Sequence, residues 1–375
     1  MTSPDPELGS PAGNGSGSGN RRLDAVRRAL ASLEPGPGVL VVTSPENRRY
    51  LTGFTGSSGA AVLGRERAVF VTDFRYLDQA SQECPGWEIV KQGPVLADTV
   101  AEVVSALGEE RVGFERELAT FAWYEDLAAR LKGFRLVPVG PVVERVREVK
   151  EDGELALIRR AAAVTDQALG DVVPLLRPGI AERDVALEAE YRMRKLGADA
   201  PAFPTIVASG PRSALPHGRA SDKLLAPGEF VTIDMGAMVG GYCADLTRTF
   251  VLGPISDEQR RVYELVAEAQ TESLAALRAG RTGKEVDAVA RDIINRAGHG
   301  EHFGHGLGHA VGLAVHESPR LAPTSDRVLE PGMVVTVEPG VYVSGWGGVR
   351  IEDLVVVKED GCEVLSEFPK KLMVL

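Results

Sequence analysis

Five of the six histidines in this chain, His299, His302, His305, His309 and His316, fall within 18 residues, HGEHFGHGLGHAVGLAVH. Imidazole is the commonest nitrogen ligand of divalent metals and the usual proton carrier near neutral pH. Clustered beside carboxylates, it points to a metal-assisted reaction. His299 and His302 belong to a polar GHGEH connection and read as solvated loop residues. His309 and His316 stand seven apart among glycines and small apolar residues. They are site candidates, although either alone also suits a hydrogen-bonded core histidine.

The carboxylates come from two hairpins. In PGEFVTIDMGAMVGGYCADLTRTF, residues 227–250, Phe230, Thr232 and Asp234 share one face of a period-2 strand, with Val231 and Ile233 on the other. A two-residue turn at Val239-Gly240 is expected to pair Asp234 directly with Asp245, with Cβ atoms about 4.5 to 5.5 Å apart. A turn at Gly240-Gly241 pairs Asp234 with Thr247 instead. At roughly 5 Å and an effective dielectric near 20, two facing carboxylates repel by about 3 kcal/mol. A sheet carries that load only with a compensating cation or proton. The segment then recurs: PGEFVTIDMG at 227–236 is echoed by PGMVVTVEPG at 331–340, with Glu338 in the place of Asp234. A three-residue loop centred on Gly345 sets Glu338 opposite Glu352 in GVRIEDLVVV. The offsets, 104 residues at the first acid and 107 at the second, indicate a duplicated half and a pseudo-twofold.

Each hairpin needs elements to hold it. Helices are expected at 154–176 and 182–196, with a strand at 205–208, before the first hairpin, and helices at 257–279 and 283–297 before the second. From 21 to about 140 short β-branched runs alternate with helical periods, the pattern of an α/β layer. Strands are expected at 39–43, 61–63, 68–72, 87–90, 111–114 and 136–139, and helices at 23–32, 74–83, 96–107 and 121–131. This region has no histidine and only scattered acids, so its expected role is shape and assembly. The fold is thus read as an α/β N-terminal domain, 21–150, followed by an α+β domain with an internal repeat, 151–375. A Gly/Ser/Pro/Asn-rich tail, 1–20, is expected to be disordered.

Composition sets the wider limits. With 375 residues, 40.0 kDa and 44% hydrophobic residues, the chain has room for two cores. A net charge of -11 and a pI near 5.2 argue against nucleic acid or an anionic membrane as partner. Three widely spaced cysteines suit free thiols in a reducing cytoplasm. There is no signal-like apolar start and no run of about 18 apolar residues, which argues against secretion and membrane spanning.

The set VTIDMGA, YCADLTRTF, GHGLGHAVGLAVHE, VTVEPGVY and GVRIED resembles the pita-bread metallopeptidases: prolidase, aminopeptidase P, methionine aminopeptidase and the related creatinase. The resemblance is specific across residues 205–354. More loosely, SPENRRYLTGFTGSSG and VTDFRY resemble the N-terminal layer of creatinase, prolidase and aminopeptidase P. It implies two divalent ions held by Asp234, Asp245, His309, Glu338 and Glu352. Asp245 and Glu352 would bridge, Asp234 would complete one shell, and His309 with Glu338 the other. Manganese is the metal first implied, with cobalt, zinc or iron as alternatives; one imidazole among oxygen donors suits that group. Ala310, where relatives often carry Gly, is a small departure.

The resemblance also implies that His217, in SALPHGRAS, together with His305 and His316, binds substrate or stabilises the tetrahedral intermediate. Glu338 would also pass a proton to the leaving nitrogen, and Arg350 would anchor a ligand carboxylate. Tyr342 fits packing or catalysis equally, and Cys243 reads as a small buried filler. The expected reaction is hydrolysis of the Xaa-Pro bond in a peptide with proline second, by an Xaa-Pro aminopeptidase that also accepts dipeptides. The alternative is an Xaa-Pro dipeptidase, or prolidase. From a different class comes a pita-bread binding or scaffold protein without catalysis, against which the complete ligand set argues. That set also argues against a creatinase, and residues 21–140 argue against a bare methionine aminopeptidase. Relatives are usually homodimers, and one is expected here.

Overall fold

The computed structural model describes residues 16–375, with side chains from residue 21. The expected disordered tail lies outside the described residues up to 15. Residues 16–20 instead open the helix Ser16–Ala31. The chain forms two compact units, one ending at Arg147 and the other covering Glu148–Leu375. Among the described residues no helix is long and apolar enough to cross a membrane.

The first unit is built on a six-stranded mixed sheet. Its strands lie in the order Glu88–Lys91, Ala68–Thr72, Ala60–Gly64, Val39–Val42, Arg111–Glu115 and Arg135–Val139. The helix Leu96–Leu107 turns Val100, Ala101 and Val104 onto the valines of this sheet, closing its core. Strands and helices fall within a residue or two of the expected bounds, apart from the early start at Ser16 and the helix expected at 74–83, where a 3₁₀ turn, Phe74–Tyr76, precedes the α-helix Leu77–Glu83. One helix was not expected, Pro45–Thr52. Its signals are local: Pro45 stands in the first turn, where its missing N–H costs nothing, and Gly53 ends it at φ 82°.

The second unit repeats one plan twice. Helices Asp152–Val172 and Glu182–Lys195 precede a three-stranded sheet ordered Leu246–Val251, Phe230–Met235, Ile206–Ser209. Helices Asp257–Ala276 and Gly283–Arg296 precede the second copy, in which Asp353–Lys358, Val334–Val337 and Gly308–Ala310 neighbour each other in the same order. Strands Glu317–Leu321 and Gly361–Val364 extend it at the two edges. Each half has its own apolar core. The halves meet where Glu352 N donates to Thr247 O at 3.1 Å and Arg350 N donates to Thr249 Oγ1 at 3.2 Å. The α/β unit and the internally repeated pita-bread unit agree with the expected fold class.

The first hairpin corrects one expectation. Val239 pairs with Tyr242, so the turn is Gly240-Gly241 and Asp234 faces Thr247, not Asp245. Both glycines have positive φ, 57° and 83°, as a two-residue turn matched to strand twist requires. Asp245 stays on the same face, two residues from Thr247, so the acids are diagonal neighbours. In the second hairpin Gly340 pairs with Arg350 and Val337 with Asp353, one continuous register that sets Glu338 opposite Glu352 as expected.

Candidate active site

The two hairpins and the strand Gly308–Ala310 deliver their polar side chains into one cavity of about 510 Å³. Asp234, Asp245, His309, Glu338 and Glu352 all line it, as do His217, His305, His316 and Arg350. His299 and His302 do not; they bond to each other, Nδ1 to Nδ1, at 3.2 Å around a turn. His309 reaches the acids because Gly308 lies against the next strand. A Cβ on Gly308 would meet Thr336 O at 2.1 Å.

The hydrogen bonds prepare five side chains for a cation. His309 Nδ1 bonds the carbonyl of Ala310 at 3.1 Å, so that nitrogen carries the proton and Nε2 presents a lone pair to the carboxylates. Nε2 lies 3.3 Å from Glu338 Oε1 and 3.7 Å from Asp245 Oδ2. One ligand atom each from Asp245, His309 and Glu352 falls within 4.8 Å of the others. Thr247 donates to Glu352 Oε2 at 2.6 Å and Thr336 donates to Glu338 Oε1 at 3.1 Å, orienting both acids. Asp234 Oδ1 and Glu352 Oε1 are buried without any hydrogen-bond partner. Such oxygens are costly unless a cation meets them.

Electrostatics carry the same message. Burial raises the carboxyl of Asp234, an effect that Arg350 partly offsets. Burial first, and then the charges of Glu352 and Asp234, push Asp245 well above the carboxylate range. Glu352 is raised by burial and by Glu338 and Asp234. Burial acts on Glu338 too, but the bond and charge of His309 pull it down to about 2. Four acids this close fit divalent cations: two such ions match four carboxylate charges, and mixed oxygen and imidazole donors suit first-row metals.

His305 and Arg350 behave differently from expectation. Arg350 donates to Asp234 Oδ2 at 2.6 Å, Thr247 Oγ1 at 3.0 Å, Pro216 O at 3.1 Å and the Tyr342 hydroxyl at 3.0 Å. Four of its five N–H groups are therefore engaged with protein. Tyr342, accepting from Arg350, gives its own proton to His305 Nε2 at 2.9 Å, and His305 Nδ1 donates to Gly306 O at 2.7 Å. Burial pushes the Tyr342 hydroxyl up to about 12, so it stays a donor. Arg350, Tyr342 and His305 thus form a brace behind the acids. His217 and His316 line the cavity with no hydrogen bond among the described residues. Burial, with the charges of His309 and Arg320, pushes His316 down to about 4, leaving it neutral at pH 7.

Two charged cavity residues were not anticipated, Arg219 and Arg320. Arg320 becomes visible only through pairing, because it stands opposite His309 across the ladder. Cys243 is buried, with Sγ 3.9 Å from Leu313 O.

The model of metallopeptidase family M24 matches residues 156–359, and that of the creatinase/prolidase N-terminal domain matches residues 22–149. The structure of an Xaa-Pro dipeptidase from Bacillus anthracis superposes with a TM-score of 0.93 at 43% identity, covering 95% of this chain and 100% of that one. An Xaa-Pro dipeptidase of Pyrococcus furiosus is 37% identical over 88% of this chain and 94% of its own length. The X-Pro aminopeptidase from Thermotoga maritima superposes with a TM-score of 0.86 at 37% identity, covering 93% of this chain and 100% of that one.

Proposed function

From a chain that belongs to metallopeptidase family M24 and carries a creatinase/prolidase N-terminal domain, we propose an Xaa-Pro dipeptidase, a prolidase. The relatives named as Xaa-Pro dipeptidases favour it over the aminopeptidase expected from the sequence. The observation that carries it is Arg320, a cavity-lining guanidinium without hydrogen bond or ion pair among the described residues. A dipeptide ends in a carboxylate within one residue of the scissile bond, and a free guanidinium beside His309 suits that group. The aminopeptidase remains a second reading through the Thermotoga maritima structure.

In this reading Asp234, Asp245, His309, Glu338 and Glu352 hold two divalent ions, manganese foremost. When bound, such ions polarise a carbonyl and lower the pKa of a water. The protein does the rest. The Arg350, Tyr342 and His305 brace fixes Asp234 and excludes water behind it. Glu338, kept ionised by His309, takes a proton and passes it to the leaving imino nitrogen. His316, neutral at pH 7, and His217 face the substrate and can stabilise charge that grows on the carbonyl oxygen. Proline suits this arrangement because its bond lacks the N–H on which most peptidases rely. The three cysteines are free, in keeping with a cytoplasmic setting, and a homodimer is retained, to be checked by sedimentation.

The test is a panel of Xaa-Pro dipeptides beside Xaa-Pro-Yaa tripeptides, with manganese and after chelation. Dipeptide cleavage lost on chelation and restored by metal is expected. Cleavage of tripeptides with dipeptides left intact would replace the reading by the aminopeptidase.

A further inference from the structure

The cavity carries a guanidinium at each outer edge. In the first half-sheet Arg219 pairs with Ile206, Ile206 with Asp234 and Asp234 with Thr247, a single row of partners. Partners in one row point to the same face, so Arg219 faces the cavity two strands from Asp234, about 10 Å away at ordinary strand spacing. On the opposite edge Arg320 pairs with His309. Both arginines are exposed, both line the cavity, and neither guanidinium has a hydrogen bond or acid partner among the described residues.

On the dipeptidase reading a substrate with a neutral first residue brings a single carboxylate. Glu338 must reach the leaving nitrogen, and Glu338 bonds His309, the neighbour of Arg320. Proline therefore lies toward Arg320, which takes its carboxylate. The first residue lies toward Arg219, beside Phe203, Pro204 and Ile206. That end offers an apolar wall for methylenes and one unmatched positive charge beyond it.

We propose that Arg219 is a specificity residue that favours substrates whose first side chain ends in a carboxylate, Glu-Pro above all. Gln-Pro has nearly the same shape without the charge, so the ratio of kcat/KM for Glu-Pro over Gln-Pro isolates the contact.

Wild type is expected to favour Glu-Pro roughly 3- to 10-fold, the range of a partly exposed charge-assisted pair. Arg219→Gln should bring the ratio to about one and Arg219→Glu should invert it, with the change carried by KM. Arg219→Lys should restore part of the preference, since charge remains but the planar fork is lost. Arg320→Gln should raise KM for both dipeptides alike and leave the ratio. A wild-type ratio of one or below, a ratio unmoved by Arg219→Gln, or one that follows Arg320→Gln overturns the assignment while dipeptide cleavage stands. Failure of wild type to cleave either dipeptide overturns the dipeptidase reading and this inference with it.

Discussion

Arg248 donates to Asp353 at 2.8 Å, with side chains 2% and 0% exposed, on the face of the strands turned away from Thr247 and Glu352. Alternation places a structural ion pair directly behind the chemistry. Asp353 also accepts from Gln270 at 2.8 Å and Lys370 at 2.6 Å, while Arg248 holds the carbonyls of Phe368 and Pro369. Asp353→Asn leaves Arg248 buried without its counter-charge. A loss of about 3 to 5 kcal/mol is expected, read as a lower denaturant midpoint at unchanged slope. A loss under about 1 kcal/mol would mean that the carbonyls of Phe368 and Pro369 suffice for Arg248 without this pair.

Asp245→Ala and Glu352→Ala should lose both bound metal and activity, because both acids belong, with His309, to the trio whose ligand atoms lie within 4.8 Å of one another. His316→Ala should keep its metal and lower kcat by roughly 10²- to 10³-fold, as removal of a transition-state hydrogen bond does. Elemental analysis of the three purified variants decides. Equal metal loss in all three would remove the distinction between holding the ions and meeting the substrate.

Arg350→Gln removes the donor to Asp234 and the partner of Tyr342. Metal affinity should fall about 10- to 100-fold, as for other groups that orient a ligand. Calorimetric titration of chelated protein measures it. Unchanged affinity with a raised KM for dipeptides would return Arg350 to the carboxylate-anchoring role expected from the sequence.

Burial pushes the Cys84 thiol up to about 11. At pH 8 only about one thiol in a thousand is then ionised, and the thiolate is the reactive form. Iodoacetamide labelling of Cys84, followed by mass spectrometry, should be slow in native protein at pH 8, rise about tenfold per pH unit toward 11, and become fast on denaturation. Rapid labelling of native protein at pH 8 would show the thiol to be accessible.

The sequence made most of this site legible because its ligands lie on patterned strands. Period-2 alternation and the echo of PGEFVTIDMG in PGMVVTVEPG fix the faces, and in the second hairpin the register, without any knowledge of tertiary packing. The turn at Gly240-Gly241 was also decidable, since two central positions with positive φ suit Gly-Gly and penalise a β-branched Val239. Arg219 and Arg320 were not decidable: their partners, Ile206 and His309, belong to strands brought beside them only by the fold. Arg350 was placed on the right face but without its protein acceptors, because alternation says where a guanidinium points and not which acceptors are already there.

The repeat is imperfect at one rung. Thr232 and Thr336 are equivalent in the echo, yet Thr232 has Ala208 for its partner, whereas Thr336 Oγ1 accepts from the backbone N–H of His309. A cleft with true twofold symmetry would hold a dipeptide in two opposite directions, equivalent and equally productive. On the dipeptidase reading, a methyl group on one side and an imidazole on the other remove that equivalence and leave one direction of entry preferred.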